Sequence, residues 1–69
     1  MTTSAQLYKA AEKFAYKGFR EYAHLEDYQA EQIIFREVEM NFSSLSEAKV
    51  MKAVETARER MSIDLKKFG

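Results

Sequence analysis

Glu21 and His24, in the stretch REYAHLEDY (20–28), are spaced i, i+3. On a helix that is the ligand pair of carboxylate di-metal bundles, in which two Glu-x-x-His pairs and two further glutamates point into one core. Two copies of this chain could supply both pairs, with Glu55 and Glu59 as the added carboxylates, so a dimeric carboxylate/histidine metal-binding helical protein is one reading. Helical phase opposes it. At 100° per residue His24 falls on the polar side with Lys13 and Arg20, Glu21 lies at the edge of the apolar stripe, and Glu55 and Glu59 lie off theirs. His24 is therefore expected to face solvent near a turn, and neither a metal nor another cofactor is expected. One histidine and no cysteine also fall short of the usual structural zinc sites.

Lys9, Lys13, Lys17 and Arg20 place four cations along one face of the first helical segment. Such a ridge can follow a phosphate backbone, which makes a helical nucleic-acid-binding module the alternative function. A formal net charge of zero weakens that case, and the plainer expectation is a solvated face that pairs with the acidic middle of its own or a neighbouring chain. That middle, EYAHLEDYQAEQ, interleaves Tyr22 and Tyr28 with Glu21, Glu26, Asp27 and Glu31. Tyrosine brings large contact area at low rotamer cost, so Tyr22, Tyr28 and Glu31 are the candidates for binding a basic surface on another protein. The serines and threonines have no accompanying base and there is no Gly-rich phosphate loop, so the chain is not expected to be an enzyme.

These groups need elements to position them. The chain has 69 residues, no proline, and glycine only at 18 and 69, and it is dominated by good helix formers. An all-α fold of two or three helices follows, over about 4–25, 28–41 and 44–67. Leu7, Ala11, Phe14, Gly18, Tyr22 and Leu25 form one stripe, flanked by Tyr8, Ala15 and Phe19. Gly18 lies within it, which marks a close-packing point, although YKGF could also end the helix. Thr3 or Ser4 can cap the start. In the next segment Ala30, Ile34, Val38 and Phe42 form a stripe with Phe35 beside it, roughly opposite in phase to the first. Either the chain turns near Glu26 and Asp27, with Asp27 as a new N-cap, or residues 4–41 form one bent helix burying opposite faces at its two ends. The alternation in IIFREVEMNF also admits a strand. Ser44 and Glu47 have the capping-box spacing, and Val50, Val54, Ala57, Met61, Leu65 and Phe68 give the last helix a regular stripe.

A single domain of this size, spanning 1–69, buries only about 60% of its unfolded surface, and small folds commonly add a disulfide, a metal or a second subunit. Without cysteine or a metal set, a homodimer is the remaining expectation. Its seam candidates are Phe35, Val38, Met40, Phe42, Val54, Met61 and Leu65. Charge reads basic up to Arg20, acidic from Glu21 to Glu47 and basic again beyond, and opposite blocks can face each other within a fold or across a dimer. No basic region followed by an apolar run marks a signal peptide, and no apolar run approaches the ~18 residues of a membrane span, so a soluble cytoplasmic protein is expected. The function expected is a small protein-protein interaction module: an inhibitor, anti-activator or adaptor that occludes another protein, for instance a DNA-binding regulator.

Overall fold

The computed structural model describes residues 3–68, and of Phe68 the backbone alone. The chain forms three helices, α1 (Ser4–Glu21), α2 (Asp27–Asn41) and α3 (Glu47–Phe68), packed as a bundle of 39 × 22 × 17 Å. The IIFREVEMNF segment is helical up to Asn41, not a strand, and the chain turns between α1 and α2 instead of continuing as one bent helix.

Local chemistry sets the helix ends. Thr3 caps α1 in a reciprocal capping box: the Gln6 N–H donates to Thr3 Oγ1 at 3.2 Å, and the Thr3 N–H donates to Gln6 Oε1 at 3.0 Å. α1 stops at Glu21, short of the expected Leu25; the Tyr22 N–H closes its last turn on the Gly18 carbonyl and residues 22–25 form the connection. At α2 the cap position is Glu26, whose side chain makes no capping bond, while Asp27 is the first helical residue and sets its carboxylate against the positive end of the helix dipole. α3 is capped by Ser46, whose hydroxyl accepts from the Lys49 N–H at 3.3 Å, not by the expected Ser44–Glu47 pair. The Ser46 carbonyl accepts the first helical bond, from Val50, so Glu47 already lies inside the helix.

Contacts between α1 and α3 join residues at one constant offset: Tyr8 with Thr56, Glu12 with Arg60, and Tyr16 with Asp64. A constant offset means that the two helices run parallel, so α2 carries the chain back from the end of α1 to the start of α3. Ala11 and Ala15 on α1 and Ala53 and Ala57 on α3 are fully buried, and these small side chains let neighbouring backbones come close. The α1/α3 contact is accordingly the most extensive in the bundle. Ile34, Val38, Val50 and Val54 are the largest fully buried side chains, each contributing about 1.5–3 kcal/mol by leaving water.

Gly18 is in mid-core with ordinary helical backbone, and a Cβ placed there would come within 3.0 Å of Ile34 Cγ1. It is a packing point, not a stop. Phe14 meets Phe42 edge-to-face with ring centroids 5.8 Å apart. The predicted stripes supply the core, with Leu45 and Ala53 as additions that lay outside them; Leu65 departs from its stripe and is 64% exposed. The expected stripe position at Phe68 lies outside the described side chains.

Candidate functional site

Glu21 is the last residue of α1 and His24 lies in the following turn, both exposed. The pair therefore lacks the continuous helix that would align i with i+3, and Glu55 and Glu59 are exposed on α3. Among the described residues no group of three or more histidines, cysteines, aspartates or glutamates is placed to hold a metal. No described helix is long and apolar enough to cross a membrane.

The acidic and tyrosine-bearing candidates separate. Tyr22 is half-buried against the core, and its phenol donates to Glu37 Oε1 at 3.0 Å. That hydrogen bond, the charge of Glu37 and partial burial push the phenol above its ordinary range. Tyr28 is 68% exposed and accepts a bond from Gln32 Nε2 at 2.9 Å. Glu31 accepts from Arg58 Nη1 at 3.0 Å, and the same guanidinium lies 3.7 Å from Asp27. Tyr28, Glu31, Gln32, Phe35, Arg36 and Glu39 line a shallow depression of about 460 Å³ on the outer side of α2. Ile33 and Met40, seven residues apart and so on a shared face, expose further apolar surface on the same helix.

Of the seam candidates, Val38 and Val54 are fully buried within the single chain and have no surface to offer a partner. Phe35, Phe42 and Met61 are half-buried against the core, whereas Met40 and Leu65 are exposed.

Lys9, Lys13, Lys17 and Arg20 are all exposed along α1. Among the described residues none of them pairs with the acidic middle of the same chain, one of the two pairings expected; the α2 carboxylates Asp27 and Glu31 pair with Arg58. Beside the cationic ridge, between α1 and α3, runs an open groove of about 700 Å³ lined by Lys9, Glu12, Lys13, Tyr16, Ala57 and Arg60. Arg60 bridges the groove to Glu12 at 3.3 Å, and the Tyr16 phenol donates to Asp64. This hydrogen bond, with burial and the carboxylate's charge, raises the Tyr16 phenol above its usual range against the opposing pull of Arg20 and Arg60.

Arg60, Tyr16 and Asp64 were not among the residues expected to matter. A signal for them does exist: Tyr8, Glu12 and Tyr16 repeat every four residues beside one stripe, as Thr56, Arg60 and Asp64 do beside another. Comparison with protein-family models, characterised proteins and solved structures gives no match.

Proposed function

We propose that this chain is a non-enzymatic protein-protein interaction module, acting in the cytoplasm as an inhibitor, anti-activator or adaptor that occludes a surface of another protein. The observation carrying this reading is that α2 completes the core with Ala30, Ile34 and Val38 and still exposes Tyr28 beside the half-buried Phe35 on one flank, and Ile33 with Met40 on the other. Large apolar groups beyond what the fold consumes mark a surface that gains by being covered. Tyr28 and Phe35, seven residues apart, supply the aromatic anchors, and Glu39 and the Arg58-paired Glu31 stand on the rim with Arg36. A partner with an apolar pocket edged by lysine or arginine suits this surface, as the nucleic-acid-binding face of a regulator would. A homodimer would draw on Phe35, Met40, Phe42, Met61 and Leu65, which retain surface; Val38 and Val54 leave the expected seam because the core consumes them.

The test is site-specific photocrosslinking in the native cell, with the probe at Tyr28, Met40 or, as a control, Lys52 on α3. Adducts of defined mass at Tyr28 but not at Lys52 are expected, with Met40 reporting on the other flank of α2, and their masses report whether the partner is a second copy. Equal labelling at all three positions, or none at α2, would sink the reading.

A further inference from the structure

We propose a second docking surface: the outer α1/α3 groove and its lysine ridge bind the phosphate backbone of nucleic acid without reading its sequence. Lys9, Lys13, Lys17 and Arg20 are exposed on one side of α1, and among the described residues none of them has a carboxylate within ion-pairing distance. On the opposite wall Arg60 is held by Glu12, so that pair adds no net charge to the groove, and nearby Asp64 keeps its charge while accepting from the Tyr16 phenol. The unpaired cations are therefore those of the α1 ridge, a local excess that the net value of zero conceals. α2 carries Asp27, Glu31, Glu37 and Glu39 against Arg36 alone, and its ion pairs are to Arg58. Arg58 and Arg60 are two residues, and so nearly opposite, around α3.

Dimensions and composition favour phosphate. From Lys9 to Arg20 the helix rises about 16 Å, with the cations about one turn apart, so the ridge can lie along several phosphates of one strand. A tightly held protein partner would use a buried anchor and a helix lying in a membrane interface would insert an apolar face, whereas attraction to anionic lipid by charge alone is the outcome that the vesicle arm of the test separates. The exposed large apolar groups lie on α2 and α3, and none lies on α1. Contacts to phosphate require neither, because they act through charge and counterion release.

The experiment is titration of the full chain into a labelled mixed-sequence DNA duplex, followed by anisotropy over a series of salt concentrations. Four phosphate contacts give a slope of log K against log salt near −3.6, and a Kd within about 10⁻⁴–10⁻⁶ M at physiological salt. Each single replacement of Lys9, Lys13 or Lys17 by Gln lowers the slope by about 1 at any duplex sequence. Replacing all four cations by Gln weakens binding at least about tenfold at low salt. Glu12→Gln, which releases Arg60 and removes a negative charge, tightens it. Tyr28→Ala leaves it unchanged, so this proposal and the α2 reading stand or fall separately. Absence of duplex binding at low salt, or an unaltered slope in the quadruple variant, would overturn the proposal. So would retention by polyglutamate or by phosphatidylserine vesicles that matches or exceeds retention by the duplex, since the ridge would then serve an acidic protein or a membrane.

Discussion

Tyr16 and Tyr22 each donate a phenolic proton to a carboxylate on another helix, so two of the contacts between helices exist only while those phenols stay protonated. Both folded-state pKa values are raised above the ordinary tyrosine value of about 10. A group whose pKa is higher folded than unfolded holds its proton more tightly in the fold. The stability it contributes is therefore complete below pH ~10 and is lost as pH rises through the folded-state value. Denaturant unfolding measured from pH 7 to alkaline conditions should show a decline that begins near pH 10. Tyr16→Phe should lower stability at pH 7 and flatten the decline; an unchanged alkaline profile in that variant would show that the Asp64 bond contributes nothing. The pairing of each phenol with its carboxylate was not legible in the sequence, because four-residue repeats beside two stripes mark polar faces without saying which face meets which. The solvent-facing turn position of His24 was legible, since it depends on rotation along one helix and a nearby change of phase.

At the scale of elements, the contact between α1 and α2 is set by Gly18 against Ile34. Alanine at 18 gains about 1 kcal/mol of helix propensity, yet its methyl carbon would meet a fully buried isoleucine at 3.0 Å. Overpacking costs about 1–3 kcal/mol, so Gly18→Ala should be neutral to destabilising by about 2 kcal/mol. Ile34→Val should cost less in that background than in the native chain, which a double-mutant cycle in urea would measure. A clear stabilisation by Gly18→Ala would mean that the helices part easily. The all-α fold and the inner faces of its helices were readable because each stripe is a local property, but whether residues 4–41 form one bent helix or two stayed open, because a change of stripe phase fits either. The ends were less so. Ser44, with Glu47 three residues on, has the better capping pattern, but Leu45 is buried and the helix begins after it, which leaves Ser46 at the cap. α1 stops before Leu25 because the chain must double back to lay Ile34 over Gly18.

For the molecule as a whole, periodicity could not say which helices would be neighbours or in which sense. That depends on the parallel α1/α3 seam, where alanines set the spacing and three polar rungs fix the register. The alternating charge blocks allowed a contact between opposite signs, and one forms through Arg58; of the first basic block, Lys9 and Lys13 line the α1/α3 groove. The parallel seam also has a mechanical consequence. Force applied between Ser4 and Lys67 pulls α1 and α3 past each other along their axes, loading the three rungs and the alanine contact together in shear. Force between Ser4 and Glu47, at the same end of the bundle, peels the seam open one rung at a time. At equal loading rate the first geometry should rupture at the higher force in an optical trap; equal forces would mean that the seam does not act as one unit. One thermodynamic stability would then present two mechanical strengths, chosen by where the chain is held.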